Sequence, residues 1–479
     1  MKRLLILSLL AMFALGAGVA NAATTLKTTG ELTFGYQWLD NPDFLKMKDD
    51  NTSEDDFQAY QRARVYFDWS ASENLRAVIG IEIGVSNWGV SGGGADLDAD
   101  DSVIEVKHAY LDFTWPNTAL TFRMGVQPIA LPGAVAGSPI LDGDAAGILA
   151  SYKINDSISA AFGWFRLQDS DAAADTGGRA ADGVSDEIDM LALLLPMKGD
   201  GWTFTPWAGY VAMGKNATND ANGVVALAYN GIINNNNNTM SDNLDVWWVG
   251  GAFTLDMFAP FAIKGDLIYG ATDGVNGSDV GGVGERSGWF FDMAVDYKMD
   301  MVTPGLFFLY SSGEDDDLKE SERIPTLYGC YYLTSLGMAG AASVLDGIAD
   351  GVLTNDATMG MWVLGGQLAN FSFVDKLSHT LRVAYGQGTS DDDFVKKGGA
   401  QLNANYNNYN TALSVLTTKD SFWEVNLDST YSIYENLTGY VELGYLKLDL
   451  DDVWKKANVI NSDKVQDVWK LAIALKYAF

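Results

Sequence analysis

The sequence has a single cysteine, Cys330, in 479 residues, and two histidines, His108 and His379. A lone cysteine excludes an intrachain disulfide framework and Cys-rich zinc modules. Two histidines leave little for His-based metal or acid–base chemistry. Basic residues are also scarce: Lys+Arg number 31 against 62 Asp+Glu, a formal net charge of −31. That balance argues against nucleic acid as a partner, because phosphate binding needs basic surface. Beyond the N-terminus no stretch approaches the roughly 18 to 20 apolar residues of a membrane-spanning helix. Disorder is excluded by a hydrophobic content of 48% and an aromatic content of 12%. A chain of this length would ordinarily form two or three domains, so a one-domain reading requires a special architecture.

The one long apolar run stands at the start. Lys2 and Arg3 precede Leu4 to Leu15, and small residues follow, ending in Ala20-Asn21-Ala22. This is the basic region, apolar core and cleavage site of a secretory signal peptide. Ser8 and Gly16 interrupt the run and no basic stop-transfer flank follows, which argues against a retained anchor. Residues 1-22 are therefore read as a cleaved leader, with Ala23 as the first mature residue. Cys330 is too distant to be a lipidated N-terminal cysteine.

The rest of the chain is filled with segments of about ten residues that alternate apolar and polar, the period of a β-strand. In the last, Trp469, Leu471, Ile473, Leu475, Tyr477 and Phe479 share one face, and Lys470, Ala472, Ala474 and Lys476 the other. Rings close both ends of the apolar face. At about 3.3 Å per residue and a tilt near 40°, Trp469 and Phe479 lie roughly 25 Å apart along a barrel axis, the height of a lipid-facing band between aromatic girdles. The first mature strand repeats the pattern, with Leu32, Phe34, Tyr36 and Trp38 opposing Glu31 and Gln37. A soluble sandwich would give the same alternation. The leader, the absence of later spanning helices and the terminal Phe479 favour a membrane barrel.

Connections alternate short and long along the whole chain, as an up-and-down barrel with short periplasmic turns and long external loops requires. The pattern gives about 18 strands in an all-β transmembrane antiparallel barrel. Sixteen is the rival, because 146-167 and 186-213 are weakly patterned. A plugged TonB-dependent transporter, with about 22 strands, would need a longer chain.

These features resemble bacterial outer-membrane porins over essentially the whole mature length, and the acidic, Trp-rich loops most resemble the homotrimeric porins of sulfate-reducing bacteria. The resemblance implies a location in the outer membrane of a Gram-negative bacterium, a homotrimer, and passive diffusion of ions and small hydrophilic solutes. It also implies that Trp469, Tyr477 and Phe479 form the C-terminal signal read by the outer-membrane assembly machinery. The implied surroundings are the lipid bilayer and lipopolysaccharide.

A barrel of about 18 strands has a backbone diameter near 35 Å, so selectivity requires something inside. The candidate is the loop after the fifth strand, near 127-147, with Pro128, Pro132 and Pro139. In the resemblance the corresponding loop folds inward as a constriction. Its Asp142 and Asp144 would then face Arg62, Arg64, Arg76 and Arg123, which parity places on the lumen side. Acid on one side and arginine on the other would set up a transverse field that orients dipolar solutes. The alternative is that these arginines only satisfy Asp68, Glu82 and Asp112 along the wall. Small organic acids are a plausible solute class, since arginine binds carboxylates well. A solute-specific channel, or a closed cation-binding, lipopolysaccharide-binding or adhesion barrel whose lumen is shut by loop 127-147 or 313-357, are the other functional readings.

Acidic runs fall in the long loops, among them Asp96 to Asp101, Glu314 to Asp317 and Asp391 to Asp393. One reading is weak divalent-cation binding that bridges to lipopolysaccharide phosphates, with Asp96, Asp98 and Asp100 as the ligands. The calcium-loop glycine and distant Glu are missing there, so a solvated acidic rim is the plainer account. No cofactor is expected beyond loosely bound Ca2+ or Mg2+. The acidic mouth and the arginine wall pull ion selectivity in opposite directions. His108 falls on the lumen face and His379 beside a short turn, with no nucleophile motif near either, so no enzymatic activity is expected. The Ala/Gly/Leu-rich stretch Leu336 to Leu353, in the long loop 313-357, could be a helix, a lid or a subunit contact, and the sequence does not choose among them.

Overall fold

The computed structural model describes residues 24–42, 44, 55–91, 95–98, 104–169, 187–215, 242–273, 285–318, 320–338, 358–405, 415–457 and 465–479. The leader at 1-22 lies outside the described residues. The strands are β1 (Thr25–Asp40), β2 (Asp55–Ser72), β3 (Leu75–Asn87), β4 (Ile104–Thr114), β5 (Leu120–Ala130), β6 (Asp142–Lys153), β7 (Ser159–Asp169), β8 (Glu187–Leu194) and β9 (Trp202–Met213). They continue with β10 (Leu244–Leu255), β11 (Phe261–Thr272), β12 (Arg286–Tyr297), β13 (Thr303–Ser311), β14 (Met361–Phe371), β15 (Leu377–Gly388), β16 (Ser421–Tyr434), β17 (Leu437–Asp449) and β18 (Val468–Ala478). Helix α1 (Asp392–Asn405) and the short α2 (Val453–Lys456) lie in the long loops after β15 and β17.

Each strand pairs antiparallel with its sequence neighbours, and β1 pairs with both β2 and β18, so the sheet closes on itself. The seam is finished by Phe479, whose N–H and C=O exchange hydrogen bonds with Gly30 at 3.0 and 2.9 Å. Closure satisfies every ladder without an exposed edge, which is how a sheet crosses a bilayer. Eighteen strands form the ring, and the rival count of sixteen fails. The weakly patterned β6 to β9 pair in register like the rest.

On β18 the outward Trp469, Leu471, Ile473, Leu475 and Tyr477 are 38 to 56% exposed, whereas the inward Lys470, Ala472 and Ala474 are at most 4% exposed. An exposed apolar band on a closed barrel is a lipid-facing surface. Ring contacts run along its long-loop side, with Trp247–Tyr269 at 5.4 Å, Tyr269–Trp289 at 4.6 Å, Tyr385–Trp423 at 4.9 Å and Tyr445–Trp469 at 4.5 Å. A second set marks the short-turn side, with Phe261–Tyr297 at 4.9 Å and Tyr477–Phe479 at 5.8 Å. These are two girdles at the two ends of one apolar belt. Among the described residues no helix is long and apolar enough to span a membrane.

Half of the bore is filled. Lumen-facing Met190, Trp207, Trp248, Ile268, Phe290 and Leu309 join one buried core with Leu131, Ile140, Ile324, Leu327, Tyr331 and Leu336 from two inward segments. Those segments are residues 131–141, between β5 and β6, and 320–338, between β13 and β14. They join each other through a two-residue ladder, Gly137–Ser138 against Cys330–Tyr331. Gly288 on β12 shows how closely the second segment lies on the wall: a Cβ there would stand 2.3 to 2.5 Å from the backbone of Glu322 to Ile324. Trp248, 1% exposed, also donates its indole N–H to Pro325 O at 2.7 Å. Its replacement by Ala would cost about 3–5 kcal/mol of packing.

Candidate functional site

Hydrogen bonds aim wall side chains at the backbone of the 320–338 segment. Arg286 donates to the carbonyls of Arg323 and Ile324, each at 3.0 Å. From the far wall Glu424 accepts from Leu336 N and Gly337 N at 3.2 and 3.0 Å, and Asp428 accepts from Ser335 Oγ at 2.8 Å. Lys470 donates to Ser335 O at 2.6 Å and to Glu442 at 2.8 Å. Buried charges persist only when paired in this way. The segment therefore crosses the barrel and is tied to both sides, whereas 339–353 of the Ala/Gly/Leu-rich stretch lie outside the described residues.

The opposite sector, β1 to β7, stays polar and open. Its upper cavity, 730 Å3, is lined by Arg62, Arg64, Glu82, Lys107, His108, Asp142 and Asp144 on the wall, and by Leu327, Tyr328, Cys330 and Tyr332 on the inner segment. A lower cavity of 770 Å3 holds Arg76, Asp112 and Arg123 beside the short turns. The six residues singled out in the sequence are thus divided between two levels, four above and two below.

Their geometry differs from the expected transverse field. Asp142 and Asp144 open strand β6 and pair across it with Ala130 and Pro128, so the inward segment is 131–141 rather than 127–147. The Gly/Ala-rich start of β6 carries no apolar alternation, yet a backbone ladder needs none. Asp144 does not face arginine across the pore. It accepts from Lys107 at 2.6 Å and contacts His108 Nε2 at 2.9 Å. Every Lys and Arg from β2 to β7 likewise has a carboxylate within 4 Å. Arg62 stands 3.7 Å from Glu31, Arg64 2.5 Å from Glu82, Arg76 2.8 Å from Asp112, and Arg123 2.7 Å from the same Asp112. Lys107, Lys153 and Arg166 are paired in the same way with Asp144, Asp156 and Asp189. The wall is a ladder of compensated charge pairs, the arrangement that Asp68, Glu82 and Asp112 offered as the alternative.

Lys107 is the functional residue that parity missed. Between β3 and β4 the register shifts so that Gly80 opposes His108 while Ile81 opposes Val106, leaving Lys107 as the extra residue of a bulge. A bulge turns two consecutive side chains to one face. Here Lys107 and His108 both reach Asp144. The signal was present in the sequence: the apolar Val106 and Leu111 stand five positions apart, an odd step that an unbroken period of two puts on opposite faces, yet both face out, at 62 and 40% exposure. Between the two charged levels, His108 is bracketed by Tyr66 at 5.4 Å and Tyr110 at 6.0 Å, and the Arg123 guanidinium lies 4.5 Å over the Tyr110 ring.

Elsewhere, Asp96 and Asp98 are described and Asp100 lies outside the described residues, so the described residues assemble no three-carboxylate site there. The carboxylates that do converge are Asp391, Asp392 and Asp393, with oxygens within 4.8 Å of one another. Lys396 and Lys419 already neutralise Asp392, at 2.6 and 2.5 Å. Those lysines hold its carboxyl well below the usual range, at about 2. His379 contacts Ser429 Oγ at 2.8 Å near the short turns. Trp469, Tyr477 and Phe479 lie on the outward face.

No family model and no curated protein matches the sequence. Solved structures do match the fold. OccAB1 of Acinetobacter baumannii superposes with a TM-score of 0.52 at 11% identity, over 95% of this chain and 97% of its own. OccAB3 of the same organism gives 0.52 at 12% identity, over 95% and 100%. OpdL of Pseudomonas aeruginosa gives 0.51 at 13% identity, over 95% and 98%. The likeness spans the full barrel on both sides and is a likeness of fold.

Proposed function

We propose that the chain is a porin of a Gram-negative outer membrane, through which ions and small hydrophilic solutes diffuse passively. The carrying observation is the division of the lumen: an apolar, filled half against a polar half whose two cavities are lined by paired charges. Water and dipolar solutes follow the polar half, because each level offers both a donor and an acceptor at the wall. Small organic acids belong among these solutes, each guanidinium offering hydrogen bonds to a carboxylate. Local charge compensation makes the wall itself weakly ion-selective, while the acidic external loops enrich cations at low salt. Assembly as a homotrimer, as in the porins of sulfate-reducing bacteria, rests on the resemblance in the sequence alone.

A second reading, a solute-specific channel, is favoured by one observation: the inner segment bounds the upper space as a cavity of 730 Å3 instead of leaving an open bore. Planar-bilayer recording of the purified protein under a KCl gradient tests both. Steps in multiples of three support a trimer of open pores, and saturation or block by one solute supports the specific channel. Silence from protein shown to be folded removes the channel reading.

A further inference from the structure

The two inward segments share one anchor on the wall, and it is a pair of carboxyl groups. Asp266 on β11 and Asp292 on β12 stand directly opposite in the ladder. They are 1% and 0% exposed, and their carboxyl groups are within hydrogen-bonding reach of each other. Asp266 accepts from Ala134 N at 2.8 Å and Val135 N at 3.2 Å, which holds the 131–141 segment. Asp292 Oδ2 accepts from the Tyr331 hydroxyl at 2.7 Å, which holds the 320–338 segment. Asp292 Oδ1 has no conventional hydrogen-bond partner in this buried setting.

Among the described residues, no Lys or Arg is paired with either carboxyl. Ala252 of β10 stands opposite Asp266 and Leu309 of β13 opposite Asp292, both apolar. Phe290 flanks Asp292 on its own strand and packs on the Tyr331 ring at 5.4 Å. Tyr331 is the titratable group facing the pair from the inner segment. Lys264 lies two residues from Asp266 on the same strand. Two adjacent buried carboxylates with no counter-charge cannot both be ionised, and the usual resolution is a shared proton. A proton on Asp292 Oδ1, donated to Asp266, gives the unpartnered oxygen a bond and leaves Asp266 the anion that its two backbone N–H donors favour.

We propose that Asp266 and Asp292 form a proton-binding site that latches both inward segments to the wall, and that loss of the proton releases them. The 320–338 segment carries Tyr328, Cys330 and Tyr332 on the pore side of the upper cavity, so its release would open that cavity. Cys330 supplies a native probe. The test is its labelling by a methanethiosulfonate reagent across a pH series, in folded wild-type barrel and in Asp292→Asn, whose amide keeps a neutral donor. The ratio of the two rates cancels the ionisation of the thiol itself. We expect a ratio near one at acid pH that climbs as pH rises, and loss of the climb when Asp266→Asn is compared with Asp292→Asn. In infrared spectra the wild type would show a protonated-carboxyl band, absent from both variants, that fades over the same pH range. A flat ratio, or a missing band, overturns the latch. The inference rests on the channel reading only in its consequence for conductance: a silent barrel with a climbing ratio would end the channel reading and leave the latch standing.

Discussion

Asp112 is the residue on which the compensated wall can be tested most directly. It accepts from Arg76 at 2.8 Å and from Arg123 at 2.7 and 3.0 Å, so one carboxylate serves two guanidinium groups in the lower cavity. Asp112→Asn keeps the volume and one acceptor but adds a unit of positive charge beside the permeation path. A unit charge about 5 Å from a passing ion is worth about 0.8 kcal/mol in bulk water. That changes the local concentration of a monovalent ion about fourfold, in opposite senses for anion and cation, hence about sixteenfold in their ratio at low salt. At 1 M the Debye length is about 3 Å and the ratio falls to about twofold. The assay is the reversal potential under KCl gradients at both salt levels. A shift toward chloride that fades with salt is expected, and Arg123→Gln should shift it the other way. A potential that does not move, or one that moves equally at 1 M, refutes the compensated wall as the ion path.

Four further outcomes follow from the same structure. Gly288→Val places side-chain atoms where the Glu322 to Ile324 backbone lies, so the inner segment should lift and single-channel conductance rise while the barrel keeps its heat-modifiable migration. Deleting Phe479 removes two seam hydrogen bonds of about 1 kcal/mol each together with the stack on Tyr477; the folded fraction in outer-membrane preparations should drop. The Asp392 carboxyl is held at about 2 by Lys396 and Lys419. An acid with a lowered folded value stabilises fully above its ordinary range and loses that contribution as pH falls toward 2. Protection of helix α1 from protease should therefore weaken over that window in the wild type, and show no such acid-dependent loss in Asp392→Asn. N-terminal sequencing of the exported protein should begin at Ala23.

How much was legible in advance depended on which solvent each face meets. Lipid-facing residues follow a period of two except across a bulge such as that at Lys107, so β18 and β1 could be read directly, and a count of about 18 strands with them. Arg62, Arg64, Arg76 and Arg123 line the two cavities of the polar half. Parity cannot say whom a lumen arginine pairs with, because its partners come from neighbouring strands whose register is set only in three dimensions. Arg76 meets Asp112 from 36 residues away. The inner segment was legible only as part of one of two loops that could close the lumen, for a physical reason. It is aperiodic, and it is held mainly through its backbone, by groups such as Glu424, Arg286 and Lys470 that read in sequence as ordinary polar wall.

The wall did carry an indirect sign of that segment. In β8 to β12 adjacent residues are apolar on both faces: Met190 with Leu191, Trp247 with Trp248, Phe290 with Phe291. In each pair one side chain is buried and the other is outward, with Met190, Trp248 and Phe290 at 0 to 1% exposure. A strand between lipid and a water-filled bore would be polar on one face. A strand apolar on both must have something dry on its inner side. Asp266 and Asp292 are the buried carboxylates within that dry face, and both are spent on the two segments that fill it. Reading a barrel sequence for double-faced apolar strands, and then for isolated carboxylates among them, would locate both the filling and its anchor before any coordinates exist.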